Sequence, residues 1–204
     1  MAIVVIGGHS RNVGKTSVVA ALIAALPDFA WTALKITQYG HGICSLNGKP
    51  CHCATEDHNW AISEEKDRSG KSDTSRFLVA GAKRVWWVRT EQGRLAEAMS
   101  AIQRRIAESQ NVIMESNSIL KFIHPDIYLT VLDGATEDFK QSAQEFLHRA
   151  DGIILHGNRN GRETENGWNG ISLASFAEKP VFQIRPPNYV TTEIAEFVRS
   201  RLGN

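Results

Sequence analysis

The chain predicts an α/β fold, with a mostly parallel central sheet and helices on both faces. Three observations predict it. Short β-branched runs alternate with longer stretches whose apolar residues recur at helical spacing, and such alternation implies strand–helix–strand crossovers. The hydrophobic and charged fractions, 42% and 22%, are those of an ordinary globular protein. No repeat, low-complexity tract or shift in composition divides the 204 residues, so one domain over 1–204 is the simplest organisation.

Residues 2–7 are an apolar, β-branched run and read as a buried strand; a glycine-rich turn comes next. Val18, Val19, Leu22, Ile23 and Leu26 then recur at helical spacing over 15–26, and Pro27 stops the helix. Residues 30–37 read as a second strand. The stretch 38–72 shows no sustained period and holds Gly, Asn, Pro, Cys, His and a run of acids, so it reads as a long loop insertion. Ser72 and Asp73 start a helix that runs to Ala80, with Gly81 as its C-cap. Strands are expected over 84–89, 111–115, 126–132, 152–156 and 180–184. Helices are expected over 95–107, 138–148, 173–177 and 191–202.

Charge and hydropathy exclude several classes. Lys plus Arg is 23 against 22 for Asp plus Glu, a formal net charge of +1, which argues against a nucleic-acid-binding surface. No apolar run approaches the roughly 18–20 residues that span a bilayer, so no membrane partner is expected. The opening Met1-Ala2-Ile3-Val4-Val5-Ile6 lacks the basic segment of a signal peptide, and a cytoplasmic location is expected. Cys44, Cys51 and Cys53, an odd and clustered set, make a poor disulfide framework.

In an open α/β sheet the ligand sits beyond the carboxyl ends of the strands. After the first strand comes Gly7-Gly8-His9-Ser10-Arg11-Asn12-Val13-Gly14-Lys15-Thr16-Ser17 and then a helix. The ending Gly14-Lys15-Thr16 fits a Walker A loop, in which backbone N–H groups and the helix N-terminus cradle phosphates. Lys15 would reach the β- and γ-phosphates, and the Thr16 hydroxyl would hold Mg²⁺. Residues Gly8 through Ser17 are thus the candidate nucleotide-binding loop. Its spacing departs from the commonest form, because His9 stands where the first glycine is usual and Gly8 lies one residue further out.

Asp73 and Glu115 are the candidate acids. Asp73 opens a helix, where it would also serve simply to complement the helix dipole. Glu115 ends the apolar strand Asn111-Val112-Ile113-Met114-Glu115, the place for a second Mg²⁺ or water-orienting carboxylate. Mg²⁺ takes one or two carboxylates with phosphate oxygens and water, so Thr16, Asp73 and Glu115 would converge on one metal. Lys15, Glu115 and Asp73 are the candidate catalytic residues. Arg76 lies one helical turn beyond Asp73 and would face either the site or solvent.

Asn158 follows the strand at 152–156, and an amide that donates and accepts at once suits a purine edge. Asn158-Arg159-Asn160-Gly161 reads equally as a polar turn. Pro186-Pro187-Asn188 would wall the base. Cys44, Cys51 and Cys53, with His41 or His58, supply the thiolate and imidazole donors that suit Zn²⁺. Their spacing is not that of paired Cys-x2-Cys knuckles, and the alternatives are free thiols in a polar loop or a redox or cluster role, the last needing a ligand other than these cysteines. A metal would offset the entropy of ordering that loop.

Gly8-x5-Gly14-Lys15-Thr16 is similar to the loop of dethiobiotin synthetases and cobyrinic-acid-type amidoligases, within the wider P-loop group that includes signal-recognition GTPases, MinD-like ATPases and metal-insertion GTPases. A second resemblance rests on Leu34-Lys35-Ile36-Thr37, Gly70-Lys71-Ser72-Asp73-Thr74-Ser75-Arg76 and Ala80-Gly81-Ala82. These segments resemble the molybdopterin-guanine dinucleotide biosynthesis adaptor family (MobB-like), over roughly residues 2–133. The resemblance implies a three-layer P-loop NTPase fold and binding of GTP or ATP with Mg²⁺. It also implies slow hydrolysis, a homodimer, and a protein partner in cofactor biosynthesis. It implies that Lys35 is a second cation near the phosphates, where the residues alone allow a solvated strand-end lysine. The family's usual Val-Glu-Gly is Met114-Glu115-Ser116 here. Three other readings stand beside it. They are a dethiobiotin-synthetase-like ATP-dependent ligase, a metallochaperone NTPase whose Cys/His loop carries the metal, and a metal-stabilised binding domain without catalysis.

Overall fold

The computed structural model describes residues 1–40, 59–134, 136, 138–156 and 178–203. Eight strands form one sheet in the order β3-β4-β2-β5-β1-β6-β7-β8. The strands are β1 (Ile3–Gly8), β2 (Trp31–Tyr39), β3 (Trp60–Glu64), β4 (Arg84–Glu91), β5 (Asn111–Glu115), β6 (Ile127–Asp133), β7 (Gly152–His156) and β8 (Val181–Ile184). The helices are α1 (Lys15–Ala25), α2 (Asp73–Val79), α3 (Leu95–Ala107), α4 (Gln141–Phe146) and α5 (Thr192–Leu202). Every pairing in the sheet is parallel except that of β3 with β4. The α/β architecture expected from the sequence is the one found.

Alternation along the central strands explains the layers. Val4 and Ile6 of β1 and Ile113 of β5 face one side of the sheet, where Val18, Val19, Leu22 and Ile23 of α1 and Ile194 and Val198 of α5 cover them. Val5, Val112 and Met114 face the other side, under Leu95, Ala98, Met99, Ile102 and Ile106 of α3. Successive side chains of a strand point to opposite faces, so a central strand buried on both sides must be continuously apolar. β1 is such a strand, and Val4, Val5 and Ile6 are all fully buried.

Several element bounds differ from the sequence reading. Residues 60–64, assigned to the insertion at 38–72, form strand β3. The strand is five residues long, half-exposed and at the sheet edge. Its backbone is held by the antiparallel ladder to β4, from Trp60↔Thr90 to Glu64↔Trp86, rather than by any pattern of its own. Strand β2 runs two residues further than read, to Tyr39, because β4 continues beside it to Glu91. Helix α4 is shorter than the stretch 138–148 and ends in a 3₁₀ turn, Leu147–Arg149. Ala80 is the C-cap of α2, and Gly81 follows at φ +109°. The helix read at 173–177 lies outside the described residues. Among the described residues, no helix is long and apolar enough to cross a membrane.

Candidate functional site: a phosphate-type loop beside two strand-end carboxylates

The loop between β1 and α1 is shaped by its own sequence. Asn12 and Gly14 have positive φ, +60° and +95°. A Cβ at Gly14 would add to that strain a contact of 3.1 Å with the Tyr189 ring. Gly14 is the N-cap of α1 and no side chain caps the helix start. Among the described residues, no protein acceptor takes the main-chain amides of Ser10 through Ser17. Strand, loop and helix therefore present a run of donors at one end of the sheet.

Neighbouring segments fasten the loop from beneath. The Asn117 amide clamps Gly8: its Oδ1 accepts from Gly8 N at 2.9 Å and its Nδ2 donates to Gly8 O at 2.8 Å. A Cβ on Gly7 would meet Asn117 Oδ1 at 2.2 Å and the Tyr128 ring at 2.8 Å, so only glycine fits there. His9 is fully buried, its ring nitrogens against the carbonyls of Val131 and Thr136 and its ring 5.2 Å from that of Phe139. Burial lowers its pKa, an effect those two carbonyls partly offset. Ser10 donates to Asp138 Oδ2 at 2.6 Å. Val13 is buried in the core. His9, Ser10 and Val13 thus hold the loop's shape with their side chains.

A cavity of about 910 Å³ opens over the loop. Arg11, Asn12, Gly14, Lys15, Thr16 and Ser17 line it, with Lys35, Asp73, Arg76 and Glu115. It continues along Thr37 to Gly40, Gln92 and Ser116 to Ser118.

Sheet register builds the charged centre. Lys35 of β2 pairs with Glu115 of β5, and Glu115 pairs with Ile6 of β1. Register partners on parallel strands share a face. Lys35 and Glu115 therefore both point to the α1 side, and α1 brings Thr16 to them. Thr16 Oγ1 donates to Glu115 Oε2 at 2.8 Å. Lys35 Nζ lies 2.8 Å from Glu115 Oε1, 2.8 Å from Asp73 Oδ2 and 3.3 Å from Thr16 Oγ1.

Asp73 arrives from α2, whose start Ser72 caps by accepting from Ser75 N at 3.1 Å. Arg76, one turn on, donates to Ser17 Oγ at 2.9 Å and so faces the site. The structure thus brings Lys15, Thr16, Lys35, Asp73 and Glu115 to the lining of one cavity, with Lys35 meeting the two acids and Thr16.

The two lysines differ electrostatically. Burial acts against the charge of Lys35, but Glu115 and Asp73 outweigh it and raise its pKa above the ordinary value. Lys15 donates to the Ser10 carbonyl, and among the described residues it has no carboxylate in contact. Burial pushes its pKa down to about 8, aided by the like charges of Lys140 and Lys35 and opposed by Glu115 and Asp73. An ammonium whose charge burial disfavours is a group that gains from an anion.

A hydroxyl and two carboxylates that reach one point are hard oxygen donors, the set that suits Mg²⁺. The fit of this chain to such an ion rests on that convergence.

Sequence reasoning missed several residues of this cavity, Asn117, Lys140 and Tyr189 among them. Asn117 stands two places after Glu115, so reading on past the strand end would have reached it. Lys140 and Tyr189 line the cavity from segments with no motif of their own, though Tyr189 directly follows the Pro186-Pro187-Asn188 wall. Asn158, Cys44, Cys51, Cys53, His41 and His58 lie outside the described residues, and with them the base-reading and Zn²⁺ expectations.

No family model matches the chain, and no curated protein does. Among solved structures, the chain is similar to LpxK from Aquifex aeolicus in complex with ATP, at 18% identity and TM-score 0.47 over 90% of this chain. It spans about half of that protein's length, 53%. It is also similar to HypB from Helicobacter pylori in complex with nickel, at 13% identity and TM-score 0.46, covering 98% of this chain and 84% of that one. A third is the signal recognition particle 54 kDa protein from Aeropyrum pernix in complex with GDP, at 14% identity and TM-score 0.48, covering 99% and 46%. Likeness at this level assigns neither family nor activity. Function must be argued from the geometry of the site itself.

Proposed function

We propose that the chain is a P-loop NTPase that binds GTP or ATP with Mg²⁺ and hydrolyses it slowly. The observation that carries this reading is the convergence of Thr16, Asp73 and Glu115 within reach of one atom, beside a loop whose amides from Ser10 to Ser17 have no protein acceptor among the described residues. The amides and the α1 N-terminus receive the phosphate chain. Lys15 neutralises its outer charge and, in doing so, recovers a charge that burial disfavours. Thr16, Asp73 and Glu115 hold the metal directly or through water. Mg²⁺ supplies charge neutralisation on the phosphate oxygens. Glu115, held by Thr16 and Lys35, would orient a water at the phosphate end.

The finer reading is a MobB-like adaptor that acts as a homodimer with a partner enzyme in the biosynthesis of molybdopterin guanine dinucleotide. The Lys35 and Asp73 segments that carry the resemblance are the ones that meet at Glu115. A second reading is favoured by the size of the cavity, about 910 Å³, whose lining includes Tyr39, Gln92 and Ser116 beside the cation cluster. An ATP-dependent ligase of the dethiobiotin-synthetase type would use part of it for a second substrate. Titration with fluorescent ATP and GTP analogues, on wild type and Lys15→Met, tests the common core. Wild type is expected to bind at least one of them, and Lys15→Met to bind it about 100-fold more weakly. Equal affinity in the two proteins overturns the reading. Hydrolysis without an added small substrate then separates the adaptor from the ligase, whose turnover needs a carboxylic or amino acid.

A further inference from the structure

Lys35 occupies the point at which Thr16, Asp73 and Glu115 converge. Its ammonium touches one oxygen from each of the three proposed Mg²⁺ ligands: Asp73 Oδ2 and Glu115 Oε1 at 2.8 Å, and Thr16 Oγ1 at 3.3 Å. The remaining link within the donor set is the Thr16 hydroxyl, which spends its proton on Glu115 Oε2 at 2.8 Å. Every donor is therefore already engaged. The Lys35 and Glu115 side chains are 15% and 8% exposed, so water does little to screen that pair, whereas Asp73, 48% exposed, meets Lys35 at the solvent side.

From this we propose that Lys35 is a built-in metal substitute, which keeps the divalent-cation site closed until a polyphosphate anion arrives. The proposal rests on the Mg²⁺-nucleotide reading above and deepens it.

A divalent ion needs oxygens at about 2.1 Å, and an ammonium bound to those same oxygens excludes it by contact and by repulsion. Entry of the metal must therefore push Lys35 off both carboxylates. Without nucleotide, the displaced cation would be left in a partly buried hollow that already holds Lys15, whose own charge burial disfavours. With a triphosphate present, the phosphate oxygens accept the displaced ammonium and the metal together. Metal and nucleotide then bind with positive coupling, and each raises the affinity of the other by the same factor.

Sheet register keeps the two groups together: Lys35 and Glu115 are direct neighbours on parallel strands and share a face, so the ammonium stays within reach of that carboxylate.

Mn²⁺ binding, measured by electron paramagnetic resonance on nucleotide-free protein, tests the proposal. Lys35→Met keeps the length of the side chain and removes its charge. It is expected to bind Mn²⁺ about tenfold tighter than wild type, or more, because an opposing charge next to the ligands is gone. Adding Glu115→Gln to Lys35→Met is expected to abolish the gain. Adding a non-hydrolysable GTP or ATP analogue is expected to tighten Mn²⁺ in wild type far more than in Lys35→Met. Lys35→Met that binds Mn²⁺ no better than wild type, or no Mn²⁺ at all, overturns the proposal, since loss of a merely structural lysine would also loosen the site.

A second measurement needs no variant. Reductive methylation of nucleotide-free wild type, read by mass spectrometry of the peptide carrying Lys35, is expected to rise when Mn²⁺ is raised to saturation, because the displaced ammonium then has no phosphate to receive it. Unchanged labelling with Mn²⁺ bound overturns the proposal. If wild type binds neither nucleotide analogue, the functional reading fails on its own, and the nucleotide-free Mn²⁺ comparison still decides the role of Lys35.

Discussion

Proton uptake on nucleotide binding follows from the state of Lys15. Its pKa in the nucleotide-free fold is about 8, against 10.5 for the unperturbed group, mainly because burial penalises the charge. That gap corresponds to about 3 kcal/mol between the charged and neutral forms. The folded pKa lies below the unfolded one. The buried charge therefore costs stability below pH 8, and the cost disappears as pH rises from about 8 to 10.5, where the unfolded chain keeps the proton and the folded one has released it. A polyphosphate beside Lys15 reverses the penalty and returns its pKa towards or above 10.5. Binding should then take up about half a proton at pH 8, about 0.9 near pH 9 and only about 0.1 at pH 7. Affinity should weaken by about tenfold for each pH unit above 8. The nucleotide adds little of its own, since its terminal phosphate titrates near pH 6. Calorimetric titration in buffers of different ionisation enthalpy reads the uptake as a slope. Lys140, whose pKa burial and Arg11 also lower, is removed as a source by Lys140→Met, in which most of the uptake must persist. A slope of zero between pH 8 and 9, with measurable binding, refutes the assignment of an uncompensated Lys15.

Other outcomes test the surroundings. Asn117→Ala leaves the buried Gly8 amide and carbonyl without their partners and should cost about 2 kcal/mol or more in urea unfolding; a loss below about 0.5 kcal/mol would show the clamp to be idle. Gly14→Ala and Gly81→Ala both place a side chain at strongly positive φ, +95° and +109°, and each should cost about 1–2 kcal/mol in thermal or urea unfolding. Only Gly14→Ala should also weaken nucleotide binding, because Gly81 lies outside the loop; parallel losses of affinity in both would undo the placement of the phosphate chain. From the donor types of Cys44, Cys51, Cys53, His41 and His58, protein purified without chelator should carry about one zinc per chain by elemental analysis. The Cys51→Ser, Cys53→Ser double variant should carry none, and a metal-free wild type would dismiss that site.

Much of this site was legible in the sequence. The order strand, glycine turn, Gly14-Lys15-Thr16, helix is local chemistry, readable because turn residues and helix starts act within a few positions. Glu115 could be placed because an acid ending an apolar run must sit at a strand end. Strand β3 could not, since Trp60–Glu64 is held by β4 and carries little pattern alone. Asn117 could not be valued either, because its contact with Gly8 spans 109 positions of chain.

Alternating apolar periods by themselves determined the class of fold, since a strand buried on both faces and a helix with one apolar stripe can be satisfied only in layers. Local motifs likewise named the loop and its two partner acids. Which side of the sheet those acids face, and that Lys35 rather than solvent meets them, was decided only by tertiary register. A shift of one residue between β2 and β5 would turn Lys35 and Glu115 to opposite faces, and nothing within either strand's own sequence specifies that alignment.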